Sequence, residues 1–175
     1  MKNKHRMIML IIDFVLIVLL TVFDQFTKAL SVKHLKDKDA FVLIDGVLEL
    51  DYLENRGAAF GMLQNQKFFI LFIGIVFMAI ILFFLFKLPE KKKYNVMHIL
   101  LSFIVAGGIG NMIDRFMLGY VVDFISFVLI NYPIFNVADI YVVCATIGLF
   151  IVFMFVYKEK DLEFLSFKQN KYREM

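Results

Sequence analysis

Two aspartates stand in otherwise apolar stretches of this sequence and are the residues best suited to chemistry. Asp123 lies in the run Gly119-Tyr-Val-Val-Asp-Phe, and Asp139 lies one turn into the apolar run that begins at Phe135-Asn-Val-Ala. Two carboxyl groups held a few Å apart do not both ionise easily, so they share a proton. The ionised group can take a proton from water while the protonated group hydrogen-bonds a scissile carbonyl. The pair is therefore a candidate for aspartic-peptidase chemistry, which needs neither metal nor cofactor. Helix capping and ion pairing within a bundle are the alternatives.

Further polar residues fall near the same ends of the apolar segments and predict one shared site. A charged group inside a bilayer costs several kcal/mol, so each such residue is a functional candidate. These residues are Asp24, Lys28, Asn55, Arg56, Asn111, Asp114, Arg115 and Asn136.

Several of these candidates also have simpler interpretations. Asp24 and Lys28 have the i, i+4 spacing of an ion pair at a helix end. Arg115 next to Asp114 is typical of an interfacial pair whose long side chain reaches towards the membrane surface. Gly57 opens the run Gly57-Ala-Ala-Phe-Gly61, whose small residues suit close approach of backbone to a ligand.

Long apolar segments must position these residues, and they predict an all-α membrane protein with four transmembrane helices. The chain has 175 residues, 61% of them hydrophobic, and a mean hydropathy of +0.78. An apolar helix of roughly 20 residues crosses the hydrocarbon core of about 30 Å. The predicted spans are residues 7–28, 68–86, 96–113 and 137–157 of a single integral membrane domain, 1–175. The apolar segment 120–130 is too short to cross alone.

The loop between the first two spans, residues 31–66, carries a strand pattern. Asp45-Gly46 is a common hairpin turn pair and is flanked by apolar and alternating residues. We expect two short strands that form a small hairpin or sheet in this first outer loop and shape an opening into the bundle.

The distribution of basic residues predicts the orientation of the spans. Twelve of the nineteen lysines and arginines fall on the N-terminal side of span one, in the turn after span two, or in the tail after span four. Because cytoplasmic loops are enriched in lysine and arginine, both termini are expected in the cytoplasm. The polar residues above then gather near the extracytoplasmic face. These basic residues are Lys2, Lys4, Arg6, Lys87, Lys91, Lys92, Lys93, Lys158, Lys160, Lys168, Lys171 and Arg173.

Composition and missing motifs exclude several classes of protein. With Cys144 as its only cysteine, the chain cannot form an internal disulfide, and a thiolate zinc site is disfavoured. Cys144 is expected to be a buried packing residue in span four, His98 to be incidental, and Asp13 to point into the bundle without an assigned role. The net charge of +3 arises from topology signals, so no nucleic-acid partner is expected. No G-x-S-x-G, H-E-x-x-H or Walker A motif is present.

Five blocks of the sequence resemble those of the lipoprotein signal peptidase (signal peptidase II) family, in the same order and along the whole chain. The blocks are Asp24-Gln-Phe-Thr-Lys28, Asn55-Arg-Gly-Ala-Ala-Phe-Gly61, Gly110-Asn-Met-Ile-Asp-Arg115, Gly119-Tyr-Val-Val-Asp-Phe-Ile125 and Phe135-Asn-Val-Ala-Asp139.

This resemblance implies an activity and residue roles that the residues alone leave open. It implies an aspartic endopeptidase of the bacterial cytoplasmic membrane that cleaves prolipoproteins just before a diacylglyceryl-modified cysteine, with Asp123 and Asp139 as the catalytic pair. Asp24, Asn55, Arg115 and Asn136 match positions that support the site or bind substrate, and Asn111 and Asp114 match its polar network. The expected partners are the prolipoprotein and membrane lipids, with no metal and no nucleic acid, and the chain is expected to act as a monomer.

Two other classes compete with the peptidase interpretation. A small proton- or ion-coupled transporter would use intramembrane aspartates to carry the proton, and it predicts acids distributed along a path through the membrane. A non-catalytic membrane adaptor would need no paired acids. The clustering of the acids towards one face favours the peptidase, although Asp13 lies apart from that cluster.

Overall fold

The structure is a computed structural model, and it describes residues 2–57, 63–64 and 66–165. The rest of the small-residue run after Gly57, residues 58–61, and the basic tail residues Lys168, Lys171 and Arg173 lie outside the described residues.

Four apolar helices form the bundle, which confirms the predicted fold class. They are α1 (Lys2–Leu35), α2 (Lys67–Lys87), α3 (Asn95–Met117) and α4 (Val137–Phe155). Each is long and apolar enough to cross a membrane. The first predicted span, residues 7–28, lies within α1, whose 34 residues continue to Leu35 and extend over roughly 51 Å, well beyond a hydrocarbon core of about 30 Å.

Helix α3 is the centre of the bundle and contacts the other three helices. It is also the helix with the most buried positions, whereas α2 has only Leu85 buried. Glycines bring α4 close, because a Cβ at Gly107 would overlap the carbonyl of Ala138. This agrees with the packing role expected of small residues between membrane helices.

A three-stranded antiparallel sheet covers one end of the bundle, which we call the sheet end. Its strands are β1 (Phe41–Ile44), β2 (Leu48–Asn55) and β3 (Val121–Phe127), in the order β1-β2-β3. The predicted hairpin turn is confirmed, and Gly46 has the positive φ of 66° that favours glycine there.

Strand β3 is the part of the sheet that sequence reasoning missed. The segment 120–130 was noted only as an apolar run too short to span, but it forms β3 and a 3₁₀ turn, Val128–Ile130. Residues 121–124 are all buried, so they lack the polar–apolar alternation of a half-exposed strand. Because β3 pairs with β2 across more than sixty residues of chain, its role became visible only in the fold.

A buried polar cluster joins α1 to α3 inside the bundle. Asp13 Oδ2 lies 2.6 Å from His98 Nδ1, and the Ser102 hydroxyl donates to Asp13 Oδ1 at 3.1 Å. The expectation that Asp13 points into the bundle is confirmed, whereas the expectation that His98 is incidental was wrong. The expectation that Cys144 is buried was also wrong, since Cys144 is exposed on the outside of α4.

Candidate active site

A cleft of about 690 Å³ opens at the sheet end of the bundle. Its walls come from β2, β3, the C-terminal part of α3, the N-terminal part of α4 and the segment before α4. Both aspartates singled out in the sequence line it. The polar residues of its wall are Glu54, Asn55, Arg56, Gln64, Asn111, Arg115, Tyr132, Asp123 and Asp139.

Asp123 lies in the buried part of β3 and accepts hydrogen bonds on both carboxyl oxygens. Asn55 Nδ2 donates to Oδ2 at 2.8 Å, and Asn136 Nδ2 donates to Oδ1 at 2.6 Å. The sequence neighbours of Asp123 are apolar and supply no such partner, so both partners come from other segments of the chain. Burial raises the pKa of Asp123 to about 6, the charge of Asp139 acts in the same direction, and the two amide hydrogen bonds oppose it.

Asp139 combines a helix-capping role with a position in the cleft. It stands in the first turn of α4 and forms a capping box with Asn136, in which the backbone N–H of Asn136 donates to Asp139 Oδ2 at 3.1 Å. Its other oxygen, Oδ1, accepts a hydrogen bond from Asn111 Nδ2 at 2.8 Å. The capping alternative is therefore real, but it occupies only one carboxyl oxygen of a residue that also lines the cleft.

Asn136 connects the two carboxyl groups. Its buried side-chain amide donates to Asp123 at 2.6 Å and to Asn111 Oδ1 at 3.1 Å, while its side-chain oxygen accepts from the backbone N–H of Asp139. The fold thus brings Asp123 and Asp139, which come from different elements, onto one side chain and into one cleft. Two carboxyl groups in one cleft are what activation of a water molecule towards a peptide carbonyl requires.

A buried lysine lies at the centre of the supporting network. Lys28 Nζ is 2.9 Å from Asp24 Oδ2, 3.0 Å from Asp114 Oδ2 and 2.9 Å from Asn111 Oδ1. The side chain of Lys28 is only 3% exposed and that of Asp24 is fully buried. The expected i, i+4 ion pair is therefore present, but it is more than a simple helix-end pair, because this buried lysine also binds the Asp114 carboxylate and the Asn111 side chain.

The two carboxylates bound to Lys28 hold the backbone next to each candidate catalytic residue. Asp24 Oδ1 accepts a hydrogen bond from the backbone N–H of Ala138 at 2.9 Å. Asp114 Oδ2 accepts one from the backbone N–H of Val122 at 3.1 Å. Ala138 precedes Asp139 and Val122 precedes Asp123. One ionic network therefore positions the backbone next to both aspartates. Gly110 is required beside it, since a Cβ there would overlap the Asp24 carboxylate.

Gln25 belongs to this network and was missed as a site residue. Its Nε2 donates to Asp114 Oδ1 at 2.9 Å and to the carbonyl of Gly110 at 3.2 Å. The only sequence signal was its place inside the block Asp24–Lys28. A neutral amide on a predicted helix end has no feature that separates it from a solvated residue.

Arg115 and Gly57 also meet at the cleft. The Arg115 guanidinium donates to the carbonyl of Gly57 at 2.9 Å and to that of Asn111 at 3.2 Å. Arg115 therefore does not pair with the neighbouring Asp114, whose carboxylate faces Lys28. The Gly57 N–H in turn donates to Asn55 Oδ1 at 3.0 Å, which orients the amide that binds Asp123.

An apolar pocket of about 200 Å³ adjoins the cleft between α2, α3 and α4. The two cavities share Gly108, Asn111, Arg115 and Val142 in their walls. The rest of the smaller pocket is lined by aliphatic, aromatic and methionine side chains of α2 and α3, with Gly74 and Met78 among them. The cleft that holds the two aspartates therefore adjoins a space suited to hydrocarbon.

Comparison with known proteins gives a consistent result. Residues 16–156 match the family model described as signal peptidase (SPase) II. The chain is 46% identical over 134 residues to the lipoprotein signal peptidase of Caldanaerobacter subterraneus, covering 76% of this chain and 90% of that protein. It is 42% identical over 148 residues to that of Brevibacillus brevis, covering 85% and 91%. A solved bacterial membrane enzyme superposes with a TM-score of 0.75 at 30% identity, covering 91% of this chain and 94% of that one.

Proposed function

Because this chain belongs to the signal peptidase II family, we propose that Asp123 and Asp139 are its catalytic pair and hydrolyse the signal-peptide bond of prolipoproteins. Removal of that signal peptide is the activity of this bacterial, multi-pass membrane peptidase. The observation that carries the assignment of the pair is their convergence on Asn136 within one cleft. The similarity to signal peptidases does not favour the transporter alternative.

The geometry supports a division of roles between the two carboxyl groups. Asp123 is the more deeply buried, and its raised pKa of about 6 suits the member that carries the shared proton. Asp139 accepts hydrogen bonds on both oxygens in the first turn of α4, where the helix dipole favours negative charge. In this scheme Asp139 takes a proton from the attacking water while the Asp123 proton hydrogen-bonds the scissile carbonyl oxygen. The tetrahedral intermediate then breaks its C–N bond as the leaving nitrogen is protonated by the pair.

The supporting residues hold the two carboxyl groups in position for the substrate. Asn55, Asn111 and Asn136 supply the amide donors to the carboxyl groups. Asp24, Lys28 and Asp114 hold the backbone on which those groups stand. Arg115 lies where the polar cleft meets the apolar pocket, so it is placed to meet ester or peptide oxygens.

We further propose that the substrate carries a diacylglyceryl-modified cysteine and is cleaved just before it. The apolar pocket beside the cleft supports this, because acyl chains attached to that cysteine would enter hydrocarbon-like surroundings next to the scissile bond. One copy of the chain contains all the groups named above, which supports action as a monomer. The test is a purified, reconstituted enzyme given precursors with and without the lipid. Cleavage of the unlipidated precursor at an equal rate would contradict this part of the proposal.

We also propose that both termini face the cytoplasm and that the cleft lies near the extracytoplasmic face. The basic turn after α2 and the basic residues flanking α1 and α4 support this orientation. With Cys144 replaced by serine, single cysteines at the exposed positions Asp45 and Lys91 can be tested with a membrane-impermeant maleimide on intact cells. Labelling at position 45 and protection at position 91 are expected, and the reverse pattern would invert the topology.

The pH dependence of cleavage follows from the raised pKa of Asp123. The active form of the pair holds one proton, so kcat/KM is expected to fall as pH rises through about 6, where Asp123 loses that proton. The measurement is kcat/KM from about pH 4.5 to 8 in the reconstituted assay, with a precursor that has no group titrating in this range. A profile that is flat through pH 6, or that rises there, would contradict the assigned role of Asp123.

The pH dependence of protein stability tests the same raised pKa of Asp123 without relying on catalysis. The folded-state pKa of Asp123 exceeds its ordinary value of 3.8, so the stabilisation from its protonated form is complete below about pH 4 and is lost as pH rises through about 6. The unfolding midpoint of the wild type should therefore decline over that window. Asp123→Asn cannot titrate and should show a smaller decline over the same window.

A further inference from the structure

Beside the catalytic cleft, Glu54 gathers three side chains on one face of strand β2. Its Oε1 is 3.1 Å from Lys36 Nζ and accepts a hydrogen bond from the Tyr52 hydroxyl at 3.3 Å. Its Oε2 accepts a hydrogen bond from an Arg56 terminal nitrogen at 2.9 Å. The hydrogen bonds from Lys36 and Arg56 hold the pKa of Glu54 below its ordinary value, so this carboxylate stays ionised at neutral pH.

Arg56 has a fixed orientation, and its hydrogen bond to Glu54 involves only one terminal nitrogen of the guanidinium group. Its guanidinium lies over the ring of Tyr120, 5.5 Å from the ring centre, and one terminal nitrogen bonds Glu54. Its side chain is 58% exposed, and within the described part of the chain Glu54 is the acceptor of its hydrogen bond. Because Glu54 divides its two oxygens between Lys36 and Arg56, neither cation is fully neutralised by it. An exposed planar cation with a fixed orientation suits a carboxylate ligand.

The position of Arg56 in the cleft indicates which part of a substrate it meets. Glu54 and Arg56 both line the cleft, whereas Lys36 does not. Asn55, which lies between Glu54 and Arg56 in the chain, donates to Asp123. A peptide bond held at the pair therefore lies close to the Arg56 wall. With the acyl chains in the apolar pocket on the α2–α3 side, as proposed above, the wall that carries Glu54, Asn55 and Arg56 remains available to the polypeptide after the modified cysteine.

We propose that Arg56 is a specificity-determining residue that binds an acidic side chain among the first few residues following the cleavage site. This inference rests on the proposed function of the cleft. It assigns a preference among precursors, which the catalytic pair cannot provide, since both aspartates act on the peptide bond common to all of them. In a purely architectural role, Arg56 would only tie β2 to Tyr120, and substrate charge would have no effect.

The experiment compares three enzymes on three precursors. The precursors are identical except for aspartate, asparagine or lysine at one position, which is scanned over the four positions that follow the modified cysteine. The enzymes are wild type, Arg56→Gln and Lys36→Gln. Lys36 is the matched control, because its substitution also removes one positive charge bound to Glu54 but does so outside the cleft.

The wild type is expected to favour the aspartate over the lysine precursor about 5-fold in kcat/KM at the best position, mainly through KM, as suits a partly exposed ion pair. Arg56→Gln should reduce this ratio to about 1, and Arg56→Glu should invert it. Lys36→Gln should retain the ratio. An unchanged ratio in Arg56→Gln, or an equal loss in Lys36→Gln, would overturn the assignment to Arg56.

Two further measurements distinguish a failure of this inference from misfolding of the variants and from a failure of the proposed function. If the Arg56 variants do not accumulate, the wild type alone decides, since an ionic preference should weaken as salt is raised from about 0.05 to 0.5 M. A wild type that shows no preference at any position overturns the inference while leaving the peptidase function intact. A wild type that cleaves none of the precursors overturns the proposed function itself.

Discussion

Replacement of either Asp123 or Asp139 by asparagine is expected to abolish signal-peptide removal, with the rate falling by at least about 10²- to 10⁴-fold. In the proposed mechanism Asp139 accepts a proton from the attacking water, and Asp123 holds the acidic proton of the pair that is later needed for the leaving nitrogen. A side-chain amide can donate a hydrogen bond, but it can neither accept nor release that proton. The effect should appear in kcat, because the substrate-binding walls of the cleft remain. The measurement is processing of a lipidated precursor by purified enzyme reconstituted in lipid.

The two substitutions are also expected to disturb the hydrogen bonds around the pair. Asp123 accepts from Asn55 on one oxygen and from Asn136 on the other, so an asparagine there must turn its NH₂ group towards one of these donors. A modest loss of stability is therefore expected alongside the loss of activity. Thermal unfolding in detergent should be measured for each variant to separate these effects.

Asp51→Asn is the matched control for the catalytic pair. Asp51 lies in the same sheet, and its carboxylate accepts a hydrogen bond from the backbone N–H of Tyr52. It is outside the cleft and outside the Lys28 network, so its variant should process precursor at close to the wild-type rate. Full activity in either Asp123→Asn or Asp139→Asn, with the protein folded in the membrane, would remove the pair from the mechanism.

Replacement of Lys28 by methionine should destabilise the protein strongly, and by more than replacement of either Asp123 or Asp139, the proposed catalytic pair. The change leaves the Asp24 and Asp114 carboxylates buried without their counter-ion. Breaking a buried ion pair in this way typically costs about 3–5 kcal/mol. Activity should fall as well, because these carboxylates hold the backbone N–H groups of Ala138 and Val122 beside the catalytic pair. The measurements are the unfolding free energy in detergent and the processing rate.

The Lys36–Glu54 pair offers a comparison in which burial is the main difference. Its nitrogen–oxygen distance of 3.1 Å is close to those of Lys28, but the Lys36 side chain is 38% exposed and that of Lys28 only 3%. Lys36→Met should therefore change stability little, as exposed ion pairs contribute little. Adding Asp24→Asn to Lys28→Met should recover part of the lost stability, since it removes one of the two buried carboxylates that have lost their counter-ion. Equal stability of the Lys28→Met and Lys36→Met variants would show that the buried network is not important for folding.

The features that could be predicted from the chain are those encoded in neighbouring residues. The four spans follow from uninterrupted apolar length, because a segment that crosses a bilayer must be apolar over its whole course. The hairpin follows from Asp45-Gly46, a local turn signal. Asp123 and Asp139 could be singled out because an acid in an apolar segment is costly enough to need a reason.

The contacts that make a site from these residues could not be predicted in this way. The partners of Asp123 are Asn55, on β2, and Asn136, at the start of α4. Strand β3, which carries Asp123, could not be predicted because buried strands lack polar–apolar alternation. The Asp13–His98 contact joins residues eighty-five positions apart, and neither carries a pattern that indicates the other. The outward face of Cys144 likewise depends on which side of α4 meets the bundle.

The division between these two kinds of feature has a physical origin. The hydrophobic effect acts on each segment separately, so the length and polarity of a segment are enough to commit it to the membrane. Hydrogen bonds and ion pairs between segments depend on distances set by helix packing and strand register, and one residue of slippage in β3 would turn Asp123 away from Asn136. The chain alone therefore specifies which groups must be kept from lipid, and the assembled bundle specifies which of them meet.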